Sequence, residues 1–265
     1  MVLACHNRRE LTRQCIESLE KFFPSNWSKT YIITDDGSCD GTSEMLSSLG
    51  LNLRIVQGNG KWFWAKSMNE AMLKIETPSD VVLLINDDVY LDSKSFPELL
   101  KVSVNYANAV LVGQTRSRLN GDITYGGFLR KSRHPLKLMR LEAINVTAEI
   151  DTFNANFVWI PWDIFLEAGP LDGTFSHSLA DLDYGYRLRN LGIEILAIPG
   201  TIGICEKNFE STNSSRLSLL KSQFSPKKLS VRNLSKFYFR YARFDLAFVY
   251  LISTYLKVIL RIIFK

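Results

Sequence analysis

The chain has 265 residues, 46% hydrophobic and 22% charged, which gives ample apolar material for a folded core and excludes a disordered or fibrous protein. Its net charge of +5 is uneven: residues 206–265 hold twelve basic and three acidic residues, so residues 1–205 are net acidic by four charges. That spread argues against a nucleic-acid-binding core and assigns the basicity to a tail suited to an anionic surface.

Val2–Cys5 is a short apolar run, and Met1 running directly into it predicts a chain without a secretion signal. Cys5, Cys15, Cys39 and Cys205 lie far apart with no CxxC pair, so they are expected to be reduced thiols of a cytosolic protein. Leu11, Cys15, Ile16, Leu19, Phe22 and Phe23 recur at helical spacing and predict a helix over about 9–23, broken at Pro24. Tyr31–Thr34 reads as a second strand, Ser43–Leu49 as a helix and Leu51–Val56 as a third strand, a β-α-β-α-β opening typical of a parallel sheet. After Gly58-Asn59-Gly60 come Trp62-Phe63-Trp64 and a helix over Ala65–Ile75. Val81–Ile85 is an unbroken aliphatic run, read as a strand buried on both faces. A helix over Phe96–Tyr106 and a strand over Ala109–Val112 follow. Residues 113–150 lack a helical period, and Asn120-Gly121 marks a hairpin, so irregular and antiparallel structure is expected there. Phe153–Ile160 reads as a strand, Pro161 as the start of a helix, Asp181–Asn190 as a helix and Ile193–Ile198 as the last strand.

Acids recur where strands end. Asp35-Asp36 follows the second strand, Asn86-Asp87-Asp88 follows Val81–Ile85, and Asp181 and Asp183 open a late helix. Each alone is also a common turn or helix-start residue. Together, acids at the carboxyl ends of neighbouring strands converge on one crevice, where open α/β sheets bind ligands. Clustered carboxylate oxygens suit a hard cation such as Mg²⁺ or Mn²⁺, which commonly partners phosphates. Three adjacent aromatics cannot all enter one core, so Trp62 or Trp64 is expected to face the crevice as a stacking platform for a ligand, with plain core as the other reading. His177, four residues before Asp181, is either an acceptor contact or a metal ligand, with a plain loop histidine as the other reading.

The strings Cys5-His6-Asn7-Arg8, Thr34-Asp35-Asp36-Gly37-Ser38-Cys39-Asp40-Gly41-Thr42, Leu84-Ile85-Asn86-Asp87-Asp88-Val89 and Ala180-Asp181-Leu182-Asp183-Tyr184-Gly185-Tyr186-Arg187 occur in that order. Over about residues 2–205 the chain resembles glycosyltransferase family 2, inverting enzymes of the GT-A fold with nucleotide-sugar donors. The resemblance implies a Rossmann-like α/β domain, with a mostly parallel central sheet and helices on both faces. It implies a nucleotide pocket of Cys5, Asp35 and Asp36, continued by Asn86 and Asp87. It places Asp88 on a divalent cation, Mg²⁺ or Mn²⁺, assisted by Asn86 or Asp87. Asp181 becomes the general base, with Asp183 as substitute because Ala180 stands where the family carries Glu. Relatives with Arg-Asn near the diphosphate match Met68-Asn69 here, so Lys61 or Lys66 is expected to supply the charge, while Asn69 and Asn156 are further donor or acceptor contacts. Cys205 stands near the position of a metal-binding His in relatives.

Three segments are expected: a catalytic domain over 1–205, a linker over 206–230 and one basic amphipathic helix over 231–265. On a single helix Lys236, Arg240, Arg243, Lys257, Arg261 and Lys265 form one stripe, which fits an interfacial helix on an anionic leaflet, at the cytoplasmic face of the cell membrane. Docking on the catalytic domain or in a homo-oligomer interface is the alternative. The function expected is a metal-dependent inverting glycosyltransferase acting on a glycan or lipid-linked acceptor in surface-polysaccharide assembly, with no nucleic-acid partner. A catalytically silent sugar-nucleotide-binding scaffold and a nucleotidyltransferase on a similar fold remain as alternatives.

Overall fold

The computed structural model describes residues 1–76, 78–175, 178–207 and 230–263. Eight strands make the main sheet: β1 (Val2–Cys5), β2 (Tyr31–Asp35), β3 (Leu53–Gln57), β4 (Val81–Ile85), β5 (Ala109–Val112), β6 (Ala148–Glu149), β7 (Phe157–Pro161) and β8 (Glu194–Ala197). Their order is β6-β8-β5-β7-β4-β1-β2-β3. β1 to β4 run parallel, as do β5 and β8, while β7 lies antiparallel between β4 and β5.

The helices are α1 (Arg9–Phe22), α2 (Thr42–Ser48), α3 (Phe63–Met72), α4 (Phe96–Asn105), α5 (Trp162–Ala168), α6 (Ala180–Asn190), α7 (Val231–Tyr241) and α8 (Phe244–Ile263). Strand periodicity divides the core into two layers. Val2, Ala4, Val82 and Leu84 meet Met68 and Met72 of α3 and Tyr184 and Leu188 of α6. Leu3, Cys5, Leu83 and Ile85 meet Ile16 and Leu19 of α1, Leu46 of α2 and Leu99 of α4. Strands covered on both faces have no solvent side, which is why β4 is an aliphatic run and does not alternate.

Residues 113–150 supply the expected antiparallel structure. Gly127–Arg130 pairs with Leu138–Arg140 and Thr152–Phe153, and Thr115–Arg116 pairs with Ile123–Tyr125 across the Asn120-Gly121 turn. The strand expected over Phe153–Ile160 divides in two: Thr152–Phe153 joins the small sheet and β7 the large one.

The tail differs from expectation. The linker lies almost wholly at 208–229, outside the described residues. The single basic helix is two, separated at Ala242, whose backbone is extended (φ −117°, ψ 158°). The break lets α8 fold back, so that Tyr238 hydroxyl meets Thr254 Oγ1 at 2.9 Å and its ring meets Tyr250. Leu234, Phe237 and Tyr238 of α7 belong to the same buried layer as β4 and α6. Lys236 and Arg240 therefore face the body and not a bilayer: Lys236 pairs with Asp172 at 2.5 Å, and Arg240 with Asp172 at 3.1 Å and Asp183 at 2.5 Å. Arg243 pairs with its neighbour Asp245, and the side chains of Arg261 and Lys265 lie outside the described residues.

Candidate active site

Parallel strands end together, and this edge of the sheet opens on a cavity of about 600 Å³. Cys5 of β1 is in register with Asp35 of β2 there. β7 runs the other way, so its beginning reaches the same edge, and Asn86 N–H donates to Asn156 O at 3.4 Å. Cys5, His6, Arg8, Asp36, Trp64, Asn86, Asp87, Asp88, Asn154, Asn156 and Asp181 all line the cavity. Among the described residues, the non-glycines with left-handed backbone are Asn7 (φ 51°), Phe63 (φ 56°) and Leu179 (φ 73°). Phe63 and Leu179 line the cavity, and Asn7 lies between two residues that do. Such conformations cost about 1–3 kcal/mol each and persist where the surroundings over-determine them.

The two acids after β4 share one cation. Arg8, which precedes α1, places Nη1 at 3.0 Å from Asp87 Oδ1 and 2.8 Å from Asp88 Oδ2. Burial, with the neighbouring Asp88 charge, pushes the Asp87 carboxyl up to about 7 against the pull of Arg8. Asp87 is 5% exposed, and its Oδ2 is buried without a hydrogen-bond partner. Asp88 Oδ1 accepts from the Cys205 thiol at 3.3 Å, and Cys205 Sγ in turn accepts from Asn156 Nδ2 at 3.4 Å. Burial, then Asp88, pushes that thiol well above its ordinary range, so it is a neutral donor. Asn86 Oδ1 accepts from Trp64 Nε1 at 2.8 Å, which turns the indole edge into the cavity wall.

Asp36 organises the aromatic loop. Its Oδ1 accepts from Gly60 N at 2.8 Å, and its Oδ2 from Trp62 N at 2.9 Å and Phe63 N at 3.1 Å. The loop comes so close that a Cβ at Gly58 would lie 2.4 Å from Asp36 Oδ1, and one at Gly37 (φ 69°) 2.7 Å from Gly60 N. His6 Nδ1 donates to the Asp36 carbonyl at 2.6 Å.

Across the cavity, α6 presents Asp181. Asn154 Nδ2 donates to Asp181 Oδ2 at 3.0 Å, and Leu182 N to Asp181 Oδ1 at 2.9 Å. Burial raises its carboxyl above the ordinary aspartate range, against the bond from Asn154. That combination suits a proton acceptor: a held orientation and a basicity shifted toward neutrality.

Other expected site residues lie elsewhere. Asp183 is fully buried and clamped by Arg240 and by Tyr241 hydroxyl at 2.8 Å, so it is a structural acid and not a substitute base. Asp35 is also buried, its carboxylate accepting from Ser38 N and the Ser43 hydroxyl, the work of a turn acid. Lys61 is exposed on the loop. Trp62 carries the Lys66 ammonium over its ring at 5.0 Å. Lys66 and Asn69 line a separate polar groove with Asp172 and Arg187, and Asn69 donates to Leu171 O at 2.7 Å. His177 lies outside the described residues.

Among the described residues no set of three His, Cys, Asp or Glu could hold a metal by itself. Mg²⁺ and Mn²⁺ do not require one, because they take one or two carboxylates and fill their shell with water and phosphate oxygens. The partnerless Asp87 Oδ2, with Asp88 and the Asn86 amide oxygen beside it, is a donor set of that kind.

The sequence model for glycosyl transferase family 2 matches residues 1–160. The chain belongs to glycosyl transferase family 2. No curated protein matches it in sequence. Among solved structures it is similar to S. aureus TarS 1–349 in complex with UDP-GlcNAc, at a TM-score of 0.56 and 14% identity over 88% of this chain and 68% of that one. It is similar also to the mannosyltransferase PcManGT from Pyrobaculum calidifontis in complex with GDP-Man and Mn²⁺, at a TM-score of 0.53 and 13% identity over 83% of this chain. The family 2 chain spans 59% of the length of that protein, and 59% of a further structure of S. aureus TarS 1–349. At these identities the likeness is one of fold, and the fold is GT-A.

Sequence reading of this family 2 chain passed over Arg8, although a basic residue just beyond a parallel strand's carboxyl end is a usable signal. It also missed Tyr125 and Phe128, which line the cavity from the small sheets. Those two sit in the segment without periodicity, which gives no sign of which face they present.

Proposed function

We propose that this glycosyltransferase moves a sugar from a nucleoside diphosphate donor to an acceptor hydroxyl by a single, inverting, cation-assisted displacement. One observation carries the reading: a hydrogen-bonded, basicity-raised Asp181 and the Arg8-Asp87-Asp88 cluster line the same cavity. Asp181 takes the proton from the attacking hydroxyl, and Asn154 holds its carboxylate in line. Cys5, His6 and Asp36 form the nucleotide end, where Asp36 fixes the loop by three backbone bonds. Trp64 lines the sugar end of the cavity, with its ring set by Asn86. Asp88, assisted by Asp87 and Asn86, would hold Mg²⁺ or Mn²⁺. When bound, such an ion offsets charge on the leaving diphosphate. No covalent enzyme intermediate is needed, so the sugar carbon inverts.

The donor class is taken from the fold relatives, which hold UDP-GlcNAc and GDP-Man. A panel of nucleoside diphosphates and their sugars, with and without Mn²⁺, is expected to raise the melting temperature with one base. Asp181→Asn is expected to keep that shift and to abolish transfer. Unchanged transfer in Asp181→Asn, or no shift with any nucleotide, would overturn the proposal; the second result favours a silent scaffold.

The acceptor proposed is a glycan or lipid-linked glycan of surface-polysaccharide assembly, met at the inner face of the cell membrane. Support comes from α8. Phe244, Phe248, Ile252, Leu256 and Leu260 recur every four residues and are all exposed, and Phe239 of α7 extends the row. No described helix is long and apolar enough to cross a membrane, so the contact is an in-plane one.

A further inference from the structure

Among the described residues Arg8 is the cation paired with Asp87 and Asp88, and it takes carboxylate oxygens that a metal would also use. Arg8 Nη1 bridges Asp87 Oδ1 and Asp88 Oδ2. The match is incomplete, because it leaves Asp87 Oδ2 buried without a partner and Asp88 Oδ1 with only a thiol, a weak donor. About a third of the Arg8 side chain is exposed, and it lines the cavity, so the guanidinium has room to leave. Charge then decides its partner. With both acids ionised, two carboxylates and one guanidinium sum to −1. A divalent cation added to that set brings the sum to +1, with a guanidinium and a metal competing for the same oxygens. A diphosphate arriving with the cation reverses the balance, and its oxygens match a planar guanidinium bidentately.

We propose that Arg8 is an exchangeable counter-ion: it holds Asp87 and Asp88 before the donor binds, yields Asp88 to the divalent cation, and transfers to the donor diphosphate. The proposal rests on the nucleotide-sugar reading above. Its signature is a change of sign. Without nucleotide Arg8 opposes cation binding, and with a nucleoside diphosphate Arg8 supports it.

The test is a titration of the purified full chain with Mn²⁺, reading free Mn²⁺ by electron paramagnetic resonance, alone and with saturating UDP or GDP. For Arg8→Gln the Mn²⁺ Kd is expected to fall about three- to tenfold without nucleotide, and to rise about tenfold with the nucleotide that binds, changes of about 0.7–1.4 and about 1.4 kcal/mol. Arg8→Lys keeps the charge without the fork. It is expected to match wild type without nucleotide and to lose affinity with it. For Arg8→Gln, a shift of one sign in both states, or no shift in the nucleotide-free state, would overturn the exchange. If neither nucleotide alters Mn²⁺ binding by wild type, the donor reading fails. The nucleotide-free arm then still decides whether Arg8 competes with a cation. Melting curves of the variants establish that each is folded, and Arg8→Met, which removes the same charge, carries the test should Arg8→Gln not fold.

Discussion

At Asp181 two influences oppose each other. Burial raises its carboxyl, and the Asn154 bond lowers it. A base must be ionised, so transfer is expected to fail as pH drops through that raised value, above the ~3.9 of an ordinary aspartate. Removing the bond in Asn154→Leu moves the acid limb of kcat/KM to higher pH, and lost orientation lowers kcat about tenfold at pH 7. A pH–rate profile of both proteins checks this, and an unmoved limb would separate Asn154 from the base. Asp36 makes a second case. Asp36→Ala leaves three loop N–H groups without their carboxylate, at a cost of at least about 2 kcal/mol, or roughly 4–8 °C in Tm. At this scale the sequence was readable where chemistry is local. Asn86-Asp87-Asp88 and Asp181 follow recognisable strings. Arg8 pairs with acids 79 and 80 residues away, a separation no local pattern encodes. Asp183 looked like Asp181 in sequence, yet it faces the opposite side of the helix, toward α7.

Among elements, α7 is the one whose role changed. Burial acts to raise the Asp172 carboxyl, but bonds from Lys236, Thr174 and Arg240 outweigh it and hold it below the usual carboxylate range. A depressed acid adds stability above its unfolded pKa, and that stability is lost as pH falls through the folded value. Asp172→Asn is therefore expected to cost about 1–2 kcal/mol at pH 7, and the gap to wild type should narrow only below about pH 4. Thermal melts at pH 7, 5 and 3 measure it; a gap independent of pH would mean that the ion pairs contribute nothing. Because Arg240 and Tyr241 grip Asp183, two residues beyond Asp181, α7 also steadies the helix that carries the proposed base. Helical periodicity predicted a basic stripe here, and the lysine and arginine spacing is real. What the pattern lacked was Asp172 and Asp183, acids of the globular body that turn Lys236 and Arg240 of that stripe inward.

For the whole molecule, the exposed row on α8 predicts partition onto lipid. The charge beyond the ion pairs is positive: Arg232 and Lys257 are exposed. Wild type is expected to float with vesicles rich in phosphatidylglycerol, and Ile252→Glu with Leu256→Glu to lower that partition at least tenfold, since a carboxylate within an apolar contact costs several kcal/mol unless it is neutralised. Equal flotation would dismiss the row as the contact, and concentration-dependent dimers without flotation would assign it to a second copy. The parallel half of the sheet was readable from the alternation of aliphatic runs and helices. The insertion of β7 was not, because an antiparallel strand between two parallel partners has the same composition as a parallel one.

That inserted strand also bears on how the chain is made. When the ribosome has released residues 1–112, β3, β2, β1 and β4 can pair, but the open edge of β4 awaits β7, and β5 has neither neighbour. Val82, Leu84 and the backbone groups of that edge stay open until residue 161 emerges, which is the state in which a strand recruits the wrong partner. Nascent chains stalled between residues 112 and 161 should therefore be the ones that need a chaperone.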